Sequence, residues 1–259
     1  MNLDLLTAKL KKEKLLSEII YFKEIESTNF YAKKNYLKDD TLILTSIQTR
    51  GKGRFSRIWQ SSADKDLTLT LIKHFNLRID ESHLVNFYTS YILFYTLKKI
   101  FSENDKMQFS LKWPNDIMLN GKKVAGILSE VSNLKSSFKK FIIGIGINVN
   151  SISFSEEINS RATSLFKESK IEINAEELLI SFIKNFYLKI NLITDKNKLM
   201  KEWVKDSIVD GKEIQFKKFD DDLEIKAYAV GVDNDGALIL RLKNGEEKKF
   251  YSGEIGLIV

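Results

Sequence analysis

The spacing of hydrophobic residues changes along the chain, and each change predicts a different element. Leucines and isoleucines recur at helical spacing through the first twenty residues, which predicts one helix or two short ones. Alternation predicts strands at 21–25, 41–48 and 67–73, and a helical pattern predicts a helix at 28–37. An aromatic stripe at helical spacing follows and indicates a core helix, with Asp80 as its expected N-cap.

The Asn-Gly dipeptide at 120–121 predicts a hairpin with a two-residue type I′ turn. Such a turn pairs Asp116 with Ala125 and places Asp116 and Lys123 on one face as diagonal neighbours. An acid and a cation on one sheet face suit a phosphate, alone or with magnesium, and a surface hairpin with an incidental charge pair is an equally open alternative. The opposite face is expected to be buried, with Ile117, Leu119, Val124 and Leu128.

A further strand is predicted at 141–150, where apolar and smaller residues alternate almost without fault. One face is apolar throughout, while the other face loses its bulk at Gly144 and Gly146 and offers the amide of Asn148. Two explanations of the glycines stay open. Either a flat ligand lies against the bare backbone, or a neighbouring strand or helix packs closely on it.

The last third of the chain divides into a helical part and a β-rich part. Helices are predicted across 175–206, with Asn174 as the cap of the first helix. Beyond them, short alternating segments around DGK, DNDG and KNGE turns predict a small all-β domain. An α+β protein is therefore expected, with a first domain at 1–206, of which 1–20 form a helical extension, and a second domain at 207–259.

Composition narrows the classes of function. The 259 residues include 41 lysines and arginines against 35 aspartates and glutamates, so the net charge of +6 does not by itself indicate nucleic-acid binding. The absence of cysteine excludes disulfides, thiolate zinc sites and cysteine nucleophiles. The two histidines, His74 and His83, are expected to be structural. No apolar run is long enough to span a membrane and no signal peptide is evident, so a cytoplasmic protein is expected.

The segment TRGKGRFSRIW, at 49–59, combines four cations with two glycines. Its cations are Arg50, Lys52, Arg54 and Arg57. Three explanations are open: nucleic-acid binding, a solvated surface loop, or a nucleotide phosphate held by backbone N–H groups and guanidinium groups. The spacing of a Walker phosphate loop is absent.

With these segments in this order, the chain resembles the biotin protein ligases, also called biotin–acetyl-CoA-carboxylase ligases. Each matching stretch is weak alone, but five in the family's order are specific. They are ESTN at 26–29, GKGRFSRIW at 51–59, KWPNDI at 112–117, KVAGILSE at 123–130 and GIGINVN at 144–150. The tail VGVDNDGALIL…FYSGEI also resembles the small C-terminal barrel of the family. The resemblance runs from about Tyr21 to the end of the sequence.

The resemblance implies a catalytic domain of the biotin/lipoate ligase type, built on a mixed sheet with helices on it, and a small C-terminal β-barrel. It implies an ATP-dependent ligase that forms biotinyl-5′-AMP and transfers biotin to a lysine of a biotin carboxyl carrier protein or domain, of the acetyl-CoA or pyruvate carboxylase type. Magnesium, ATP and biotin are the implied cofactor and substrates. Lipoate or octanoate ligation on the same fold is the nearest alternative.

The resemblance also assigns residues to the site. The expected biotin-binding residues are Ser27, Thr28, Asn29, Gln48, Gly51, Lys52, Gly53, Arg54, Lys123 and Gly126. The expected ATP-binding residues are Arg54, Arg57, Trp59, Lys112, Asn115, Lys123 and Asn148. The expected catalytic residues are Lys123, Arg54 and Arg57, with Lys123 binding the biotin carboxylate and the α-phosphate as a charge and not as a nucleophile. Asp116 is the expected magnesium ligand.

Two residues depart from the family's usual loop, because Lys52 replaces an arginine and Ser56 replaces a glycine. Lys52 keeps the charge without the planar guanidinium, and Ser56 occupies a position where a positive φ was expected to be favourable. A biotin-responsive DNA-binding regulator is the alternative from another class. About twenty residues precede the first match, too few for a helix-turn-helix module, so a monofunctional ligase without sequence-specific DNA binding is expected. Homodimerisation is left open.

Overall fold

The computed structural model describes residues 3–132, 138–209, 211–218 and 224–257. Its strands form two sheets, one of seven strands and one of five. In the first sheet the strands are β1 (Glu18–Ile25), β2 (Thr41–Gln48), β3 (Leu67–Phe75), β4 (Phe109–Lys112), β5 (Asp116–Leu119), β6 (Lys122–Ser132) and β7 (Lys139–Ile147). The helices are α1 (Leu3–Lys12), α2 (Thr28–Lys34), α3 (Leu84–Ile100), α4 (Glu156–Asn159), α5 (Leu165–Ser169), α6 (Ala175–Leu188) and α7 (Lys196–Lys205). None of the helices described is long and apolar enough to cross a membrane.

The first sheet is mixed, as predicted. Its strand order is β1-β2-β3-β7-β6-β5-β4, with β1 and β2 parallel and every other pair antiparallel. One face packs against α3, which packs in turn against α6, and the main hydrophobic core between them takes the alternate β7 residues Phe141, Ile143, Ile145 and Ile147. The other face carries a smaller cluster under α2, with Ala32, Ile43, Ile72 and Ile142. Gly144 and Gly146 lie on the α2 face because they share the parity of Ile142.

Most predicted elements are confirmed, and the errors concern their ends. The strand predicted at 41–48 is Thr41–Gln48, and Asn174 caps α6 by accepting from the backbone N–H groups of two residues in the first turn. The predicted N-terminal helical pattern is wrong for its last residues. Ile19 and Ile20 belong to β1, because Leu42 and Ile43 of β2 provide their pairing partners.

Asp80 does not cap the aromatic helix, and that prediction is wrong. It lies in a short 3₁₀ turn, Ile79–Glu81, where its carboxylate accepts from Arg78 Nη2 at 2.9 Å. The helix α3 begins only at Leu84, and no side chain accepts a hydrogen bond at its N-cap, His83. The side chain of Asp80 is therefore used within the turn before the helix starts.

The second sheet contains only antiparallel strands, which confirms the predicted α+β class. Its strands are β8 (Lys212–Lys217), β9 (Glu224–Val232), β10 (Leu238–Arg241), β11 (Glu247–Phe250) and β12 (Glu254–Leu257), in the order β11-β10-β9-β8-β12. The rings of Phe216 on β8 and Phe250 on β11 lie 4.5 Å apart although two strands separate them in the sheet. Neighbouring strands are about 4.8 Å apart, so the sheet must curl strongly, as in a small barrel.

The two sheets contact each other through a tight turn of the second. The buried indole of Trp113 donates from Nε1 to the carbonyl of Gly236 at 3.0 Å. Gly236 has φ +80, and a Cβ there would lie 2.7 Å from the ring of Phe87 on α3. Glycine is thus needed for both the turn and the close contact. The domain boundary predicted after residue 206 falls between α7 and β8 and stays a prediction.

Candidate active site

A cavity of about 880 Å³ opens on the α2 face of the first sheet and reaches the second sheet. The structure brings fifteen of the sixteen predicted site residues to its wall, and Gly51 is the exception. They are Ser27, Thr28, Asn29, Gln48, Lys52, Gly53, Arg54, Arg57, Trp59, Lys112, Asn115, Asp116, Lys123, Gly126 and Asn148. Gly51 lies behind the wall, where a Cβ would be 2.6 Å from the carbonyl oxygen of Trp59.

One end of the cavity is formed by the start of α2 and the end of β2. Ser27 caps α2, with its hydroxyl accepting from the N–H of Phe30 at 3.4 Å. The backbone N–H and the hydroxyl of Thr28 both donate to Gln48 Oε1, at 2.7 and 3.1 Å. These bonds fix the orientation of the Gln48 amide, so its Nε2 is the group left to donate to a ligand.

Asn29 lies directly over Gly144, where a Cβ would be 2.5 Å from Asn29 Oδ1. Its Nδ2 donates to the carbonyl of Leu128 and to Glu130, and its Oδ1 accepts from Thr70 at 2.6 Å. The side chain amide is therefore satisfied within the protein. Of the two open explanations for the glycines, close packing is observed at Gly144, because a side chain of α2 needs the space.

The cationic loop forms a small hairpin, which we call the basic flap and define as residues 51–59. Gly53 N–H donates to the carbonyl of Arg57, and Trp59 N–H donates to that of Gly51. A positive φ occurs in the flap at Phe55, with a value of 54°. The expectation that position 56 would need it is wrong, because the 3₁₀ turn Arg54–Ser56 reverses the chain one residue earlier.

Trp59, at the base of the flap, packs on the second glycine. A Cβ at Gly146 would lie 2.2 Å from the indole ring, so close packing is observed at this glycine as well. The indole Nε1 is buried and has no hydrogen-bond partner within the described ranges. Lys123 Nζ lies 5.7 Å from the centre of the ring, within the range of a cation–π interaction. Bringing the flap and Lys123 together gives the cavity a positively charged wall.

The two flap arginines contact the second sheet. Arg57 forms a bidentate ion pair with Glu254, and Arg54 donates to Asn115 Oδ1 at 3.3 Å and weakly to the carbonyl of Gly253 at 3.5 Å. Burial lowers the pKa of Arg54 despite the nearby carboxylates, whereas the hydrogen bonds that Arg57 donates to Glu254 raise the pKa of Arg57. Burial alone would raise the pKa of Glu254, but the contact with Arg57 outweighs it and lowers that pKa.

The hairpin β5–β6 positions Lys123. Asn120 and Gly121 have φ of 50° and 79°, as a type I′ turn requires, and Lys123 Nζ lies 2.7 Å from Asp116 Oδ1. The predicted meeting of acid and cation is confirmed.

The predicted pairing of the hairpin is correct next to the turn but wrong from Ile117 back to Asp116. Val124 forms a bulge, so Asp116 pairs with Gly126. The same shift turns Ile127 into the core and leaves Leu128 half-buried at the cavity, which corrects the burial expected for Leu128.

Three further predicted residues support this wall. Lys112, at the end of β4, faces the cavity, and burial lowers the pKa of its amine. Asn115 donates from Nδ2 to the carbonyl of Ile127 at 2.5 Å while its Oδ1 accepts from the flap. Asn148 donates from Nδ2 to the carbonyl of Thr163 at 2.9 Å and so holds the segment after α4 against the sheet.

The described residues do not form a metal site on their own. They contain no group of three or more His, Cys, Asp or Glu side chains that could hold an ion. Asp116 is a single carboxylate already paired with Lys123, so it could contribute one ligand to Mg²⁺ only where phosphate and water oxygens supply the others. His74 Nδ1 lies 3.1 Å from Asp39, His83 packs against Phe87, and neither lines the cavity.

Several residues that line the cavity were not predicted from the sequence. Arg161 reaches it because the segment 161–163 pairs with Lys123 as a parallel bridge, through Lys123 N–H to the Arg161 carbonyl. Thr68, buried and without a hydrogen-bond partner in the part described, lines the floor beside Gly146. The second sheet adds Gln215, Lys217, Glu224, Gly253, Glu254, Ile255 and Gly256. Only the SGE turn in the tail motif offered a signal for these.

Comparisons with known proteins agree with this geometry. The model of the biotin/lipoate A/B protein ligase family matches residues 21–148, and the model of the biotin protein ligase C terminal domain matches residues 211–257. The bifunctional ligase/repressor BirA of Bacillus spizizenii is 30% identical over 257 residues, which cover 96% of this chain and 76% of that protein. The biotin--[acetyl-CoA-carboxylase] ligase of Mycobacterium tuberculosis is 27% identical over 128 residues, 49% of this chain and 45% of that protein.

Solved structures show the same architecture. The biotin protein ligase from Aquifex aeolicus in complex with biotin and ATP superposes with a TM-score of 0.78 at 27% identity, covering 94% of this chain and 99% of that one. The mixed sheet, the lined cavity and the curled second sheet together define the class of the biotin/lipoate ligases. Within that class, the chain belongs to the biotin protein ligase family.

Proposed function

We propose that the protein is an ATP-dependent biotin protein ligase, which activates biotin as biotinyl-5′-AMP and transfers the biotinyl group to a lysine of a biotin carboxyl carrier protein or domain. The observation that most supports this proposal is the meeting of Lys123 with Arg54 and Arg57 at one cavity. These cations come from a hairpin and from the basic flap, and they surround a space large enough for two linked ligands.

In the first step a biotin carboxylate oxygen attacks the α-phosphorus of ATP, a P–O bond forms, and the bond to the β-phosphate breaks with release of pyrophosphate. Negative charge accumulates on the phosphoryl oxygens in the transition state, where fixed cations stabilise it most. Lys123 is suited to bind the carboxylate and the α-phosphate together, since its amine lies beside Asp116 at the wall of the cavity. Arg54 and Arg57 are suited to bind the phosphates from the flap.

In the second step the neutral amine of a carrier lysine attacks the acyl carbon of the adenylate, the C–O bond to AMP breaks, and the amine loses a proton. The flap would shield the mixed anhydride from water until the carrier arrives. We assign Ser27, Thr28 and Gln48, which line the α2 end of the cavity, to the biotin ring. Trp59, Lys112, Asn115 and Asn148 remain our assignments for the nucleotide, and Asn29 and Gly126 for the biotin side.

Magnesium would enter as the complex with ATP, as part of the substrate. Mg²⁺ is usually held by one or two carboxylates together with phosphate and water oxygens. Asp116 provides one such carboxylate at the wall that Lys123 occupies. We therefore keep Asp116 as the proposed protein ligand of the magnesium that accompanies the phosphates.

The decisive experiment is incubation with ATP, magnesium, biotin and an isolated carboxyl-carrier domain, followed by intact mass of the carrier. One biotinyl group should be added to the carrier, and biotin should support exchange of labelled pyrophosphate into ATP. Lipoate and octanoate in place of biotin are the matched controls and should support neither reaction. Exchange with lipoate and not with biotin would instead establish the lipoate branch of the family.

A DNA-binding role stays an unsupported alternative. No sequence-specific DNA binding is our prediction, and a salt-resistant footprint on one DNA site would contradict it. Homodimerisation is a separate question, which sedimentation of the protein with and without biotin and ATP would answer.

A further inference from the structure

The ion pair between the basic flap and the second sheet links two parts of the chain that are far apart in sequence. Both Nη atoms of Arg57 donate to the two carboxylate oxygens of Glu254, which is 197 positions later. The adjacent carbonyl of Gly253 accepts from Arg54. Two consecutive residues at the start of β12 therefore contact both arginines of the flap.

The turn that delivers these groups is closely packed. Gly253 has φ +145, and a Cβ there would lie 2.5 Å from the ring of Phe216. Glu254 then begins β12 and pairs with Lys217 of β8, while its side chain turns to the cavity. The carboxylate is thus held by a strand and by core packing, and it has less freedom than a carboxylate on a surface loop.

The ion pair with Glu254 is chemically compatible with a phosphate-binding role for Arg57. A guanidinium has five N–H donors, and an end-on pair through the two Nη atoms uses two of them. A bidentate carboxylate also fixes the plane of the guanidinium. An arginine without this partner would have to be ordered when the nucleotide binds, which would cost conformational entropy.

We propose that Glu254 is a positioning residue for the ligase reaction, which holds Arg57 and with it the basic flap at the cavity wall before ATP binds. This inference rests on the proposed phosphate-binding role of Arg57. Glu254 acts through Arg57 and does not touch the reacting atoms. The second sheet thereby contributes to nucleotide binding through one side chain and one carbonyl group.

The test compares Glu254→Gln with wild type in the full chain by two readouts. Glutamine keeps the shape but removes the charge, so KM for ATP in biotin-dependent pyrophosphate exchange should rise about fivefold or more, and by a larger factor than KM for biotin. Trypsin cleavage after Arg54 and Arg57 in the absence of ligands should accelerate by a similar factor, because the flap is no longer restrained.

Glu247→Gln is the matched control. Glu247 accepts from Nε and Nη2 of Arg241 in the same sheet, at 3.1 and 2.8 Å, and the pair is about as exposed as that of Arg57. It does not line the cavity, so this variant should change neither readout. Should Glu254→Gln fail to fold, Glu254→Asp, which keeps the charge on a shorter side chain, should show both effects at smaller size.

The outcomes separate this inference from the proposed function. Unchanged KM for ATP and unchanged cleavage in a folded Glu254 variant would overturn the positioning role, and so would a lower KM for ATP, which would mean that Glu254 competes with phosphate. If wild type supports no exchange while Glu254→Gln still exposes the flap to trypsin, the proposed function is wrong and the positioning of Arg57 by Glu254 is supported.

Discussion

The cavity is enclosed by two cationic regions that are held in place in different ways. Lys123 belongs to a hairpin whose turn, partner Asp116 and neighbouring strand lie within a dozen residues. The basic flap has a short hairpin of its own, but its arginines contact Asn115, Gly253 and Glu254, from 61 to 199 positions away. The first region is positioned mainly by local pairing, with one backbone contact to the segment 161–163, and the second by contacts with distant parts of the chain.

This difference indicates which parts of the site are rigid on their own. A hairpin in a seven-stranded sheet keeps its register as long as the sheet forms. A flap whose charges are satisfied by another sheet depends on how well that sheet docks. Substitutions in the hairpin should therefore lower the reaction rate directly, while substitutions elsewhere should lower it by displacing the flap.

Replacing the hairpin cation should have the largest effect. Lys123→Ala removes the charge assigned to the carboxylate and the α-phosphate, so biotin-dependent pyrophosphate exchange should fall about 10²- to 10³-fold with the fold intact. Lys122→Ala is the control, because the neighbouring lysine does not line the cavity and should keep activity within twofold. Normal exchange by the Lys123 variant would refute the role given to this residue.

Filling the space beneath Trp59 should have an intermediate effect. Gly146→Ala places a Cβ 2.2 Å from the indole ring, which anchors the base of the flap, so the ring or the strand must move. We expect the free energy of unfolding in urea to fall by about 1–3 kcal/mol, as for other overpacked sites. At Gly256 a Cβ would meet atoms no closer than 3.8 Å, so Gly256→Ala should lower the free energy of unfolding much less. Equal stability of both variants would mean that Trp59 does not depend on this glycine.

A change of pH should give the smallest effect and should act where the two sheets dock. Burial lowers the pKa of His83, which packs near Gly236, despite backbone contacts from Asp235 that favour the protonated form. A lowered pKa in the fold means that stability is fully present above the unfolded value of 6.5 and is lost as pH falls below it.

The measurement for His83 is urea unfolding between pH 7 and pH 5. Wild type should lose more stability over this range than His83→Gln, which carries no ionisable group at the position. Parallel pH dependence in the two proteins would show that His83 does not titrate differently in the folded and unfolded chain.

Sequence reasoning succeeded where short-range rules decide the structure. The Asn-Gly turn, the alternation of β7 and the cap at Asn174 each depend on a few neighbouring residues, and all were confirmed. Ile19 and Ile20 fit a helix and a strand equally well, and pairing with β2 decides between them. The bulge at Val124 also depends on distant chain, since the backbone of Lys123 binds the segment 161–163.

The candidate site followed the same division. Most of the cavity residues from the first sheet and the basic flap could be named from the family's motifs, whose members lie far apart in the sequence but meet at one site. Arg161 and Thr68 could not be named, because no local pattern shows that these positions will reach the cavity. Glu254 lies in the SGE turn of the tail motif, but nothing in that motif shows that the second sheet reaches the cavity. The positive φ at Phe55 was not predicted, because the family's usual loop has its glycine at the next position, where this chain has Ser56.

The double hydrogen bond from Thr28 to Gln48 Oε1 has a consequence for selectivity among ring systems. With its oxygen occupied, this amide can meet a ligand only with N–H groups, so the α2 end of the pocket has a fixed polarity. A cyclic urea brings a carbonyl oxygen to such an end and gains a hydrogen bond. The corresponding cyclic guanidine, protonated at neutral pH, would bring N–H against N–H and bind far more weakly.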